Sequence, residues 1–217
     1  GRVKDEYVFF QSTSAYKKIS NEYDNLGNLT KQNVDNQFYT WYSFDEQARL
    51  KEVRSNMHNA YTTAKLEAVY SYDQSDKVLS AKFGTYGNLA PKVLYTYDGK
   101  GRVSDINGFA LDVFTTVFQQ TLTYYNNDNI HTMFLRNDGN GSWPNLNFTY
   151  SYDNYNRLDS AVCSNPYYTE TYAYDYDGNL LTKNRPYNTS QSITYNYTQP
   201  GKNYLMSLTK GLTSSNF

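Results

Sequence analysis

The chain has 217 residues and a mass of 25.2 kDa, with 20 Lys+Arg against 21 Asp+Glu, and Tyr, Asn, Thr and Ser together supply 89 positions. Balanced charge weighs against a basic nucleic-acid binder. No run approaches 18 apolar residues, which excludes a helical membrane protein, and an aromatic content of 18% argues against disorder.

An internal repeat dominates the chain. It opens weakly with Tyr23-Asp24 and Asn28-Leu29. Tyr42-Ser43-Phe44-Asp45 is followed by Arg49-Leu50, and Tyr70-Ser71-Tyr72-Asp73 by Lys77-Val78. Tyr95-Thr96-Tyr97-Asp98 precedes Arg102-Val103. Tyr125-Asn126 with Ile130 reads as a copy one residue shorter. Tyr150-Ser151-Tyr152-Asp153 leads to Arg157-Leu158, and Tyr172-Ala173-Tyr174-Asp175 to Asn179-Leu180. Tyr195-Asn196-Tyr197-Thr198 closes the series, with a longer gap to Leu205. The Asp-equivalent positions are therefore 24, 45, 73, 98, 126, 153, 175 and 198. Eight units fill residues 1–217 as one repeat domain, with no Pro/Gly linker or charge run to mark a boundary.

Each unit reads as a β-hairpin. Leu146, Phe148, Tyr150 and Tyr152 alternate with Asn147, Thr149 and Ser151, and the other copies do the same. One face is aromatic and the other carries hydroxyls and amides, as in a half-buried antiparallel strand. Three residues after the Asp stand Gly27, Ala48, Asp76, Gly101, Asn156 and Gly178, and five of these six tolerate a left-handed backbone. The Asp accepts backbone N–H bonds as an Asx-turn, and Arg49, Arg102 and Arg157 open the return strand beside it. Leu50 and Val53 are three apart, as are Val103 and Ile106, so a β-bulge after the turn is expected. Glu46 through Tyr70 also carries a passable helical face, but the repeat register assigns it to strands. The predicted fold is all-β: an antiparallel meander of about eight hairpins forming a soluble barrel or a curled, spiral sheet.

Sites are scarce. Cys163 is the only cysteine and reads as a small buried hydrophobe. His58 and His131 have no partner at metal-ligand spacing, and no cofactor motif is present. Asp175-Tyr176-Asp177-Gly178-Asn179 mimics the start of a calcium loop, but the distal Glu is missing. The Asn137–Ser142 stretch reads as a loop tip. No catalytic, cofactor or metal residue is assigned, and no carboxylate pair for hydrolysis stands out. Trp41 falls opposite the Tyr stripe, where it could stack on a sugar or peptide or pack under a loop. Trp143 sits in a Gly-rich loop as a second such aromatic. Five Asn-x-Ser/Thr sequons occur where composition alone gives about four or five, so they carry no information.

The Tyr-x-Tyr-Asp-x-x-Gly-Arg/Asn-Leu pattern resembles the YD repeat of Rhs-type proteins, toxin-complex shells and teneurins. Tyr97-Asp98 with Gly101-Arg102-Val103 and Tyr174-Asp175 with Gly178-Asn179-Leu180 match it best. The chain also resembles short secreted Bacteroides-type lipoproteins of unknown function with a porin-like β-barrel fold. The resemblance implies a secreted, periplasmic or outer-surface protein, lipid-anchored through a segment upstream of Gly1. A membrane barrel is not expected: the stripe is Tyr rather than aliphatic, the alternating runs are shorter than the ~9–11 residues needed to span, and mean hydropathy is −0.79. The expected role is a non-enzymatic scaffold for a glycan or surface protein. The alternatives are a structural segment of a larger Rhs-like shell and a hydrolase with unrecognised carboxylates.

Overall fold

The computed structural model describes residues 2–10, 15–84, 90–110, 116–137, 145–199, 202–211 and 213–216. The chain divides into two compact units, one of Gly1–Gly101 with Ile106–Val117, the other of Arg102–Asp105 with Phe118–Phe217. The division runs through β9 (Val103–Phe109), where the sequence has no linker.

The first unit is an antiparallel meander of β1 (Asp5–Phe10), β2 (Ala15–Tyr23), β3 (Leu29–Val34), β4 (Phe38–Phe44), β5 (Leu50–Asn56), β6 (Lys65–Tyr72), β7 (Val78–Phe83) and β8 (Lys92–Tyr97). The second continues the pattern with β10 (Thr116–Tyr124), β11 (Ile130–Asn137), β12 (Leu146–Tyr152), β13 (Leu158–Cys163), β14 (Glu170–Tyr174), β15 (Leu180–Asn184), β16 (Ile193–Gln199), β17 (Lys202–Lys210) and β18 (Thr213–Asn216). Among the described residues each register joins a strand to its neighbour in sequence. None joins a unit's first strand to its last, so neither unit closes into a barrel of its own. The predicted all-β antiparallel meander is the observed fold. The passable helical face of Glu46–Tyr70 resolves into β5, one 3-10 turn at Tyr61–Thr63 and β6. No helix among the described residues is long and apolar enough to cross a membrane.

The alternation predicted from sequence is visible in burial. On β12, Leu146, Phe148 and Tyr150 are half-buried while Asn147 and Thr149 are exposed. The aromatic rows lie across small residues: Tyr70 faces Ala81 and Tyr150 faces Ala161, both alanines buried. Cys163 is buried opposite Phe148, in the role of a small hydrophobe. No large side chain is fully buried among the described residues, so the sheet has a half-buried aromatic face instead of a dry core. On the opposite face, hydroxyls pair across the strands: Ser71 with Ser80 at 2.6 Å, Thr123 with Thr132 at 2.6 Å and Ser151 with Ser160 at 2.7 Å.

The expected bulge is present, and it recurs. Phe44 pairs with Leu50 but Ser43 pairs with Glu52, which leaves Lys51 as the extra residue of the return strand. The same shift singles out Thr30, Leu79, His131, Asp159, Leu181 and Met206. It brings Leu50 and Val53 onto one face, as their spacing requires. At the other end of the strands the connections vary. Asp35 and Asn36 both have positive φ, 56° and 54°, as in a two-residue type I′ turn. Single 3-10 turns at Tyr61–Thr63, Pro166–Tyr168 and Thr189–Gln191 precede β6, β14 and β16.

The fifth repeat corrects the sequence alignment. Tyr125, not Asn126, holds the Asp position: its N–H donates to Asn129 O at 2.8 Å, as Asp45 N–H does to Arg49 O at 2.9 Å. Tyr124 pairs with Ile130 as Phe44 does with Leu50. The copy is therefore of full length. The left-handed residue Asp128, at φ 69°, fixes the turn, and it sets the register against the Asn-rich sequence. The left-handed slot also takes Ala48 at φ 61°, the one residue there with no compensating side chain. Ala48→Gly should raise unfolding free energy by about 1 kcal/mol, and Gly178→Ala, whose added methyl meets nothing within 4 Å, should lower it by about as much. Urea melts of both variants check this.

Candidate functional site

The densest arrangement of polar chemistry lies at the turn ends of the hairpins. The motif Asp at positions 24, 45, 73, 98, 153 and 175 is committed to its own loop. Asp45 Oδ1 accepts from the N–H groups of Gln47 and Arg49, and its Oδ2 from Arg49 Nε at 2.7 Å. Asp153 repeats this with Tyr155, Arg157 and Arg157 Nε at 2.6 Å. Asp24 and Asp175 take the N–H and side-chain amide of Asn28 and Asn179. These donors favour the ionised form, so the carboxyls are held below their ordinary value. At Asp24 and Asp175 the Asn28 and Asn179 side chains lead, and at Asp73 the Lys77 N–H does. At Asp45 and Asp153 partial desolvation opposes, and Arg49 and Arg157 overcome it. In Asp175-Tyr176-Asp177-Gly178-Asn179, both oxygens of Asp175 are thus bonded to Asn179.

The arginines reach further than their own turn. Arg49 extends an N–H to Asp73 O at 2.8 Å and another contact to Asp76 at 2.8 Å, with its guanidinium 4.7 Å over the Tyr72 ring. Arg102 repeats the geometry on Tyr125 O, Asp128 and the Tyr124 ring. Arg157 donates to Asp175 O at 3.0 Å and lies between the rings of Tyr155 and Tyr174. Each arginine therefore clamps one turn to the next.

In most copies the second tyrosine of the motif completes the clamp by donating its hydroxyl to the preceding hairpin. Tyr72 bonds Leu50 O at 2.7 Å, Tyr97 bonds Val78 O at 2.7 Å and Tyr124 bonds Val103 O at 2.7 Å. Tyr174 bonds Leu158 O at 3.0 Å and Tyr197 bonds Leu180 O at 3.2 Å. Tyr23 does the same to Val3 O at 2.8 Å. Phe44, which has no hydroxyl, and Tyr152, whose ring lies edge-on to Tyr125 at 6.3 Å, depart from the pattern.

Between neighbouring turns these clamps leave grooves. One, of about 460 Å³, sits between the β12–β13 and β14–β15 turns, and a second, of about 570 Å³, sits between the β4–β5 and β6–β7 turns. A separate pocket of about 300 Å³ lies on the aromatic face of the second unit, against Met133, Phe148, Tyr150, Tyr172 and Arg185. Its carboxylate is Glu170, which meets Lys183 at 3.1 Å, the Arg185 guanidinium and the Tyr172 hydroxyl. Burial works against its charge, but these three donors outweigh it and hold the carboxyl low. Burial, then Glu170, drive the Tyr172 phenol far above its ordinary value. Sequence reading missed this cluster. Its signal is Glu170 itself, a charge two and four residues before Tyr172 and Tyr174, on the aromatic face of β14.

Trp41 lies on β4 between Lys31 and Arg54. It is half-buried, stacked 5.9 Å from Tyr39 and edge-on at 6.0 Å to Tyr61, over which Arg54 sits. The loop bearing Tyr61 thus packs against the indole. Trp143 and the Asn137–Ser142 tip, apart from the backbone of Asn137, fall outside the described residues. His58 is exposed, and His131 packs 4.3 Å from Tyr125. Among the described residues no three His, Cys, Asp or Glu side chains gather as a metal site.

No family model and no curated protein matches this chain. Its fold is nevertheless found among solved structures. The TcdB2-TccC3-Cdc42 crystal structure aligns over 83% of this chain with a TM-score of 0.67 at 16% identity. The Photorhabdus luminescens Tc holotoxin pore aligns over 89% with a TM-score of 0.63, also at 16% identity. A porin-like protein from Bacteroides uniformis aligns over 92% of this chain at 12% identity, with a TM-score of only 0.38. The chain spans about a tenth of each toxin chain, 10% and 12%. The shared property is the fold, and it is the fold of the toxin-complex group that the Tyr-x-Tyr-Asp motif resembles.

Two outcomes follow from the clamps. Tyr72→Phe, Tyr124→Phe and Tyr174→Phe should each cost about 1 kcal/mol, or a few degrees in Tm, while Tyr176→Phe, at a fully exposed position, should cost none. Because the turn carboxyls are depressed, their stabilisation is fully present above the ordinary Asp value of 3.8 and is lost as pH falls through the lower folded values. Tm should therefore be insensitive to these groups above about pH 5 and fall steadily below about pH 4, as a pH series of thermal melts would record.

Proposed function

We propose that this chain is a non-enzymatic, architectural β-repeat segment of an extracellular or surface-exposed protein: a sheet wall that presents recognition elements on its rim of turns. One observation carries the reading. The Asp, Arg and second Tyr of the motif, the residues that look most chemical in the sequence, spend their polar atoms on backbone and side chains of their own turn or the adjacent one. Likeness to toxin-complex chains supports a wall segment, since the matched chains are roughly eight to ten times the length of the part that aligns. Balanced charge supports a glycan or protein as the rim's partner over nucleic acid. An outer-surface setting suits both the fold likeness and the Tyr/Asn/Thr/Ser composition.

The competing hydrolase reading has one concrete candidate, Glu170. Full-length protein assayed against chromogenic glycosides and esters should show no turnover above buffer. A turnover that Glu170→Gln abolished while leaving secondary structure intact would overturn the architectural reading. Arg157→Ala should lower Tm and raise hydrogen exchange in the β12–β13 and β14–β15 turns together, because the clamp joins those two.

A further inference from the structure

The two rim grooves are the same groove in different repeats. Arg49, Tyr72, Asp73 and Leu79 in one occupy the motif positions of Arg157, Tyr174, Asp175 and Leu181 in the other. The scaffold is constant and the decoration is not. The flanking positions are Gln47 and Gln74 in the first groove, and Tyr155 and Tyr176 in the second.

The two tyrosines have little to do in the fold. Tyr176 is 103% exposed and makes no hydrogen bond or ring contact among the described residues; Tyr155 is 74% exposed and its ring meets only the Arg157 guanidinium. Gln at the equivalent positions builds the same turn, so folding does not demand aromatics there. Two aromatic side chains flank a cavity of about 460 Å³ that also presents Leu181, the Arg157 guanidinium and Asp175. Flat apolar walls with a few fixed polar groups are the composition of a small-ligand site.

We propose that the groove between the β12–β13 and β14–β15 turns binds a neutral glycan, with one pyranose ring seated against Tyr155 and Tyr176 and its hydroxyls directed to what the clamp leaves over: Nη2 of Arg157, whose Nε and Nη1 are engaged, and the second lone pairs of the Asp175 carboxylate. Three observations select this ligand class. The groove is lined by one carboxylate, Asp175, and one guanidinium, Arg157, whose Nε is already paired to Asp153, so it offers no excess positive charge to an acidic sugar or a phosphate. The backbone groups that shape these turns are engaged with one another and with Asp side chains, leaving no strand edge for a peptide main chain. The cavity of about 460 Å³ is bounded by two adjacent turns, which suits a compact ring better than an extended segment running along the rim. Carbohydrate C–H faces against exposed aromatic rings, with hydroxyls on fixed polar groups, satisfy all three.

Isothermal titration of the full chain with cellohexaose, maltohexaose, mannohexaose and chitohexaose tests this, with hexagalacturonate and a proline-rich peptide as comparators. The expected result is binding of at least one neutral hexasaccharide at a Kd of ~10 μM to ~1 mM. Tyr155→Ala and Tyr176→Ala should each weaken it about tenfold, while Gln47→Ala and Gln74→Ala leave it unchanged. Tyr176→Ala should keep the wild-type Tm, so its loss of binding would not be a loss of fold. The proposal is overturned by no heat from any neutral sugar up to about 10 mM, by binding that survives the double Tyr variant, or by preference for the acidic sugar or the peptide. None of these failures touches the architectural reading, which rests on the Tyr→Phe and Arg157→Ala melts.

Discussion

A sheet whose half-buried face is lined by tyrosine cannot hold itself together as an aliphatic core does. Ring burial supplies apolar contact, but every phenolic hydroxyl carried inward needs a partner. Here that need is met at one recurring place, where the second Tyr of five motifs donates to the first carbonyl of the preceding return strand. The bond is directional and spans two hairpins. It converts a liability of the composition into the rule that sets hairpin against hairpin. A phenylalanine gives the same packing without that constraint, and Phe44 shows that one such position is tolerated.

The rest of the motif serves that contact. For the tyrosine to meet its carbonyl, the strand must end at a fixed phase, and the left-handed residue and the bulge set it. The left-handed slot accepts Gly, Asn, Asp and even Ala, because the Asp position and the clamp hold the turn from both sides. The bulge then rotates the return strand so that its first apolar residue pairs with the motif tyrosine or Phe44. Arginine adds a guanidinium plane that lies on the next tyrosine and donates to the next turn, which a lysine can copy only in part. Lys77 lies 5.2 Å from the Tyr97 ring, but it brings a point charge rather than a fork.

Much of this was legible in the sequence, because it is local. Period-two alternation, the turn residue three after the Asp, and the three-residue apolar spacing after it each encode a backbone state directly. The failures are instructive in the same terms. Tyr125 was misaligned because the Asn-rich stretch offers several plausible turn residues, and only the left-handed Asp128 and the Tyr124 hydroxyl discriminate among them. The type I′ turn at Asp35-Asn36 went unread because that pair lacks the usual glycine. The reach of Arg49 and Arg157 to the following turn depends on hairpins stacking side by side, which repeat spacing suggests but does not fix. The Glu170 cluster joins β14 to residues of β15 and lay outside any motif. Trp41 lies on β4, and its packing against Tyr61 depends on how the following loop folds back.

A repeat built this way separates what must be kept from what may vary. The clamped Asp, Arg and Tyr fix the distance between adjacent turns, and with it the width of the groove between them. Gln74 and Tyr176, one position beyond the Asp, and Gln47 and Tyr155, two beyond, are exposed in their grooves, so exchanging Gln for Tyr there alters surface chemistry without altering the frame. Architecture and recognition therefore make few demands on the same side chains. Arg157 is the meeting point, since it both ties two turns together and forms the polar end of the aromatic groove. Removing it would disturb both properties, whereas removing Tyr176 would disturb only one. That difference allows binding and stability to be measured apart on a single rim.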